Sequence, residues 1–84
     1  MDKGYEIEWC VKLPIDESGE ADHDAAVYES ADRGDLQSAR QLAKEKLPLD
    51  PYGTVQIRQF EMRPDSDIPG LFLREYISDM IEVS

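Results

Sequence analysis

The only histidine of the chain, His23, lies between Asp22 and Asp24, and a histidine flanked by carboxylates can act as a general base or a metal ligand. Neighbouring residues of an extended loop point away from one another, and no second histidine or nearby cysteine completes a zinc site. Cys10 and Ser18 are possible nucleophiles for His23, but neither lies in a nucleophile elbow or an oxyanion motif. We therefore interpret His23 as a solvated loop residue and expect a protein that is not an enzyme and carries no cofactor.

Calcium and phosphate sites are also disfavoured. An EF-hand loop needs glycine at its sixth position and glutamate at its twelfth, whereas counting from Asp16 gives Gly19 fourth and Val27 twelfth. The five glycines are isolated, so no glycine-rich loop is present to hold a phosphate. We expect no bound metal.

The charge of the chain is its most unusual property. Nineteen acidic residues face nine Lys and Arg in 84 residues, which gives a formal net charge of −10. Eight of the acids fall between Asp16 and Asp35, where Arg33 is the only fixed positive charge. Such an excess disfavours direct binding to nucleic acid or to an anionic membrane, because both would repel it. It indicates either a solvated face kept for solubility or a partner with a positive surface.

The candidate binding surface is a row of these carboxylates. Glu6 and Glu8 project from one face of a predicted strand, about 7 Å apart, and the loop that follows adds five more acids. Such a row offers negative charge at spacings of the same order as nucleic-acid phosphates, so a groove that holds DNA or RNA would attract it. The candidate partner-binding residues are Glu6, Glu8, Asp16, Glu17, Glu20, Asp22, Asp24, Glu29 and Asp32.

The elements that must position these acids begin with two strands. Apolar residues alternate with polar ones from Tyr5 to Leu13, the period of a strand with one buried face, and Trp9 shares the buried phase. Pro14 ends this strand, the acidic loop follows, and residues 25–29 are predicted to return antiparallel to it. Cys10 lies opposite Trp9, as a half-buried inert residue or a surface thiol able to form a dimer.

A helix and a third strand come next. Apolar residues at spacings of three and four predict a helix over 36–47, with Asp35 as its N-cap and Pro48 after its end. Residues 50–53 are predicted to form a turn, and a strand is predicted over 54–63. Val55 and Ile57 share one phase of that strand and Phe60 the other, so we expect a bulge near residues 58–59 or a core on both faces.

The C-terminal segment is predicted to be a short helix. Phe72, Tyr76, Ile77, Met80 and Ile81 fit an i, i+4 pattern, and Pro69 stands near the start. The predicted order is β-β-α-β-α, a single α+β domain over residues 1–84 in which one main helix packs on a small antiparallel sheet.

Localisation follows from negative observations. A single cysteine fits a reducing compartment, no run of about 18 apolar residues exists, and the first residues lack the basic-then-apolar order of a signal peptide. We expect a cytosolic protein.

In size, acidity and lack of enzyme motifs the chain resembles small phage-encoded anti-CRISPR proteins, particularly those that mimic DNA. The segment from Asp35 to Ile57, a short helix followed by a turn and a strand, is similar in style to many small phage proteins. The resemblance implies a non-enzymatic inhibitor in the host cytosol, monomeric or homodimeric, that occupies the DNA- or RNA-binding groove of a CRISPR effector complex. The alternative is an adaptor that binds a protein through an apolar patch around Phe72, Tyr76 and Met80, with the acids serving solubility.

Overall fold

The computed structural model describes residues 2–83. Over this range the chain forms one main helix and four strands, named here in chain order. These are β1 (Lys3–Lys12), β2 (Val27–Arg33), α1 (Leu36–Lys46), β3 (Gln56–Pro64) and β4 (Phe72–Tyr76), with single 3-10 turns at His23–Ala25 and Leu47–Leu49.

The four strands form one sheet in the order β2-β1-β3-β4, and every neighbouring pair is antiparallel. Ile7, near the middle of the sheet, is paired with Ala31 on β2 and with Ile57 on β3. The helix α1 packs on one face of the sheet, mainly over β1. The prediction of an α+β domain with one main helix on an antiparallel sheet is confirmed.

The predicted limits of α1 are confirmed to within one residue. The carboxylate of Asp35 accepts a hydrogen bond from the backbone N–H of Ser38 at 2.8 Å, which satisfies one of the free donors of the first turn. Lys44 and Lys46 lie in the last turn, where positive charge interacts favourably with the helix dipole. Pro48 follows in the 3-10 turn that closes the helix.

The main core lies between α1 and the sheet, and Trp9 belongs to it as predicted. The residues buried there are Ile7, Trp9, Ala39, Leu42, Ala43, Val55 and Ile57. Spacings of three and four put the helix members on one side of α1, and alternation along the strands puts the others on one face of the sheet.

The strand β3 buries residues on both of its faces. Its register with β1 is unbroken from Gln56 to Glu61, so Ile57 and Phe60 must point to opposite faces. Ile57 packs beneath α1, while Phe60 is 1% exposed on the other face. Of the two alternatives for this strand, the core on both faces is confirmed. The bulge lies instead in β1, between Cys10 and Lys12.

The bounds of β2 differ from the prediction over residues 25–29. The strand starts at Val27 and continues to Arg33, although Asp32 and Gly34 are residue types that favour a turn. Pairing of Tyr5 with Arg33 keeps the whole stretch in the ladder with β1. Tertiary pairing here outweighs the local turn preference of Asp and Gly.

The predicted C-terminal helix is wrong, and the element order is β-β-α-β-β. Residues 72–76 form β4, paired with β3 from Phe60–Tyr76 to Pro64–Phe72. A spacing of four places Phe72 and Tyr76 on one side of a helix but also on one face of a strand, so the pattern could not separate the two. Gly70, with φ of +85°, provides the left-handed residue that the β3–β4 turn requires.

Candidate protein-binding site

The face of the sheet that α1 leaves uncovered, here called the open face, carries most of the polar side chains of interest. Register places even-numbered residues of all four strands on it. They include Glu6 and Glu8 of β1, Asp32 of β2, Phe60 of β3, and Arg74 and Tyr76 of β4.

Arg74 is at the centre of this face. Its guanidinium carbon lies 3.8 Å from the ring centroid of Phe60, a cation–π contact that covers the buried ring. From there the guanidinium donates hydrogen bonds to Asp32 at 3.1 and 2.8 Å and a further one to Glu6. Hydrogen bonds to Asp32 and Glu6 raise the pKa of Arg74, which stays charged. One side chain therefore links β4 to both β1 and β2.

Tyr76 completes the network. Its hydroxyl donates a hydrogen bond to Glu6 at 2.9 Å, and its ring lies beneath Arg58, whose guanidinium carbon is 5.2 Å from the centroid. Partial burial, with the hydrogen bond to the Glu6 carboxylate, raises the pKa of Tyr76. Glu6 is thus held by an arginine and a tyrosine, and its side chain is only 16% exposed.

Two of the nine candidate acids are therefore bound within the molecule. Glu6 and Asp32 share the guanidinium of Arg74, so both carboxylates already have a cation partner and together keep a net charge of −1 with it. Nothing in the sequence spacing indicated this pairing, because Arg74 lies 68 residues from Glu6 and 42 from Asp32. The one sequence signal was the spacing of two between Arg74 and Tyr76, which places both side chains on one face of a strand. The helix prediction for this segment left that signal unused.

The acidic loop, residues Asp16–Asp24, holds five more of the candidates in a defined turn. Ile15 and Ala21 form an antiparallel bridge at its base. Oδ1 of Asp16 accepts hydrogen bonds from the backbone N–H groups of Ser18 at 2.9 Å and Glu20 at 3.1 Å. A hydrogen bond from the Ser18 hydroxyl, together with these backbone bonds, lowers the pKa of Asp16.

The carboxylates of this loop face water. Asp16, Glu17, Glu20 and Asp24 are exposed, and Asp22 is half-buried. Among residues 2–83, none of the five takes part in an ion pair.

The other two candidates lie on opposite sides of the sheet. Glu8 is on the open face, paired with Ser30 and Gln56. Glu29 is paired with Trp9, so its side chain points to the face that α1 covers, at the exposed edge of β2. The nine acids therefore do not form a single row. The acidic loop is the one place where several exposed candidates are adjacent.

A buried hydrogen-bond cluster around Cys10 connects β1 to the segment after α1, and the sequence analysis did not predict it. Asp50, 7% exposed, accepts hydrogen bonds from the backbone N–H groups of Cys10 at 3.1 Å and Tyr52 at 2.7 Å. The thiol of Cys10 is fully buried and donates to the carbonyl of Lys12 at 3.4 Å, so it is not a surface thiol. Asp50 thus fixes the chain after α1 against β1.

His23 lies beside this hydrogen-bond cluster. Its Nδ1 is 2.7 Å from the Tyr52 hydroxyl, and the two rings stack with centroids 5.5 Å apart. His23 is exposed, as expected of a loop histidine. Burial raises the pKa of Tyr52. Residues 2–83 contain no group of three or more His, Cys, Asp or Glu side chains placed to hold a metal ion.

The apolar residues named from the sequence are all exposed. Phe72 is 56%, Tyr76 41% and Met80 60% exposed. Phe72 and Tyr76 are the first and last residues of β4, and Met80 follows that strand in the chain. Leu73 and Ile77 are exposed beside them. No helix within residues 2–83 is long and apolar enough to cross a membrane.

Comparisons with protein-family models, with curated proteins and with solved structures give no match to this chain.

Proposed function

We propose that this chain is a non-enzymatic inhibitor that places its acidic loop in a basic DNA- or RNA-binding groove of a partner protein. The observation that carries the proposal is the loop Asp16–Asp24, with five carboxylates in nine consecutive residues and no Lys or Arg among them. The partner class that the sequence resemblance implies is a CRISPR effector complex.

The geometry of the loop supports this role. A carboxylate on a disordered tail loses conformational entropy when it binds, whereas these are held by the Ile15–Ala21 bridge and by the turn around Asp16. Charges that are fixed before binding contribute more of their attraction to affinity and also accelerate encounter with a positive surface. Glu6 and Asp32, which are already bound to Arg74, are accordingly left out of the proposed contact.

The test is displacement of DNA from purified CRISPR effector complexes, with and without added salt. Binding through the loop is expected to weaken steeply as salt rises, because exposed charges are screened. Reversal of three loop charges, in the triple variant Glu20→Lys, Asp22→Lys and Asp24→Lys, is expected to abolish displacement while the circular dichroism spectrum is retained.

A matched control separates the loop from net charge alone. The triple variant Asp2→Lys, Glu45→Lys and Glu82→Lys changes the total charge by the same amount at exposed sites outside the loop. It is expected to keep most of the inhibition. Equal losses in the two triple variants would sink the proposal, as would displacement that is insensitive to salt.

A second candidate function is that of an adaptor that binds through the apolar residues along β4. The exposure of Phe72, Tyr76 and Met80 favours it. The double variant Tyr76→Ala and Met80→Ala should then lose binding while the loop variant keeps it. Tyr76→Phe is the control, because it loses the hydrogen bond to Glu6 and retains the ring.

A further inference from the structure

The strand β4 is one edge of the sheet, and its register shows which backbone groups are free. Leu71 accepts a hydrogen bond from Asp65 N at 2.8 Å, and Ile77 N donates one to Gln59 at 3.0 Å. Odd-numbered residues of this segment therefore turn their backbone groups toward β3, because hydrogen-bonded pairs alternate along an antiparallel ladder. The N–H and C=O groups of Phe72, Arg74 and Tyr76 point away from the sheet.

The side chains along this edge are apolar on both faces. Phe72 lies on the open face, and Leu73 and Ile77 lie on the other, all at least 40% exposed. Both edge strands carry charged residues, but they differ in their partners. On β2, Glu29 and Arg33 take part in no ion pair among residues 2–83, whereas Arg74 and Glu75 of β4 are both bonded to neighbouring side chains. Charges on an edge strand discourage pairing with other chains, so β4, whose charges are already paired, is the less protected edge.

The charges around β4 indicate the sign of what it would accept. On one face Arg63 is bonded to Glu61 at 3.0 Å and to Glu75 at 2.6 Å. On the open face Arg74 is bonded to two carboxylates as well. Each arginine is thus matched by two acids, and each set has a net charge of −1.

Two further features extend this negative balance. Asp65 and Asp67 add negative charge at the tip of the β3–β4 turn. Two cations lie nearby, Arg58 over the ring of Tyr76 and Lys3 opposite Glu61. A second copy of the chain would bring another net charge of −10 to this edge, whereas a basic segment would be attracted to it.

We propose that β4 accepts an extended segment of the basic partner, containing lysine or arginine, as a fifth strand of the sheet. This inference rests on the proposed function, since that function supplies a basic partner. The added strand would pair with the outward backbone groups of Phe72, Arg74 and Tyr76, which provide affinity without sequence preference. Alternate side chains would pack on Phe72 and Tyr76 or place their cations near Glu75.

The test uses a short synthetic peptide of alternating lysine and valine, titrated into the isotopically labelled protein and followed by NMR. A control peptide of the same length and charge has proline in place of every valine and cannot complete a strand ladder. The first peptide is expected to shift the amide signals of Phe72, Arg74 and Tyr76 and to protect those amides from hydrogen exchange. The control peptide is expected to do neither.

Two variants at position 72 distinguish the contribution of the backbone to peptide binding from that of the side chain. Phe72→Pro and Phe72→Ala both remove the ring, but only the proline removes the outward N–H. Loss of that hydrogen bond is expected to weaken peptide binding about fivefold in Phe72→Pro relative to Phe72→Ala. The exchange measurement on the unaltered protein decides the matter if the proline variant does not fold.

Three results would overturn the inference. Equal binding of the two peptides, with shifts confined to the acidic loop, would mean attraction by charge alone. Protection of β4 amides without peptide, in a dimer that strengthens with salt, would mean that a second copy covers the edge. No binding of either peptide would also reject it. The loop triple variant is expected to keep the β4 shifts, so failure of the proposed function is distinguishable from failure here.

Discussion

The guanidinium of Arg74 on β4 reaches across the sheet to the carboxylate of Asp32 on β2, with hydrogen bonds of 3.1 and 2.8 Å. These two residues lie on the opposite edge strands of a four-stranded sheet. The side chain covers the ring of Phe60 on the way and also bonds Glu6. The contact closes the open face over a buried aromatic ring that no helix covers.

Replacing Arg74 is therefore expected to destabilise the whole sheet. Arg74→Met keeps the apolar stem over Phe60 but leaves the half-buried carboxylate of Glu6 without its cation. Because the side chains of Arg74 and Glu6 are 30% and 16% exposed, solvent screening limits the loss, and we expect a decrease of about 1–2 kcal/mol in the free energy of unfolding. Urea denaturation followed by the fluorescence of Trp9 measures it.

Arg63→Met is the matched control, since Arg63 also contacts two carboxylates but at more than half exposure. Surface pairs of this kind contribute less than about 1 kcal/mol. Equal losses for the two variants would contradict the role given to Arg74. Adding Glu6→Gln or Asp32→Asn to Arg74→Met removes an unpaired carboxylate and is expected to restore part of the stability. If neither double variant is more stable than Arg74→Met, that role is also contradicted.

Asp50 is expected to be more sensitive than its position in a turn implies. Its two oxygens serve different donors, since Oδ2 accepts from Cys10 N and Oδ1 from Tyr52 N. Asp50→Asn can keep only one of these bonds, and Asp50→Ala keeps neither and leaves the buried N–H of Cys10 unpaired. We expect about 1–3 kcal/mol of destabilisation for the alanine variant and a smaller loss for asparagine. Thermal or urea unfolding that ranks asparagine as the worse variant would contradict this account.

The thiol of Cys10 is expected to be inert in the folded protein. It is fully buried against the sheet, and reaction with a thiol reagent requires a thiolate that the reagent can reach. Reaction with a chromogenic disulfide should therefore be slow in buffer and fast in denaturant. Rapid labelling of the native protein, or a disulfide-linked dimer formed on mild oxidation, would show that the site opens readily.

Elements with local signals were predictable from the sequence. The alternation through Ile7 and Trp9 and the cap at Asp35 each report a preference of neighbouring residues, and each element formed as predicted. The strand β4 was not predictable in this way, because a spacing of four between Phe72 and Tyr76 fits either structure. Its partners on β3 and the contact of Arg74 with Asp32 decide between them, and both are distant in sequence.

In the candidate site, too, local features were predictable and contacts between distant residues were not. The acidic loop is a local feature, so its composition identified it and the structure adds only its turn and its exposure. Whether Glu6 and Asp32 carry free charge depends on a cation 42 or more residues away. Composition gives the number of carboxylates but not their partners or their positions in the sheet. The prediction therefore put nine acids in one binding surface, although only the five of the acidic loop lie together.

The N-cap of α1 makes a final prediction, on the pH dependence of stability. Hydrogen bonds from the backbone and hydroxyl of Ser38 lower the pKa of Asp35 below its ordinary value of 3.8. A carboxylate whose pKa is lower in the folded state stabilises that state above its unfolded pKa, and the contribution is lost as pH falls through the folded pKa. Asp35→Asn keeps a capping oxygen but cannot ionise, so it lacks this pH-dependent part. We expect the unaltered protein to have the higher urea midpoint at neutral pH, and the difference from Asp35→Asn to disappear below the folded pKa. Ser38→Ala, which removes only the hydroxyl, should reduce the difference partly. A difference that is the same at both pH values would show that the charge of Asp35 does not contribute to the cap.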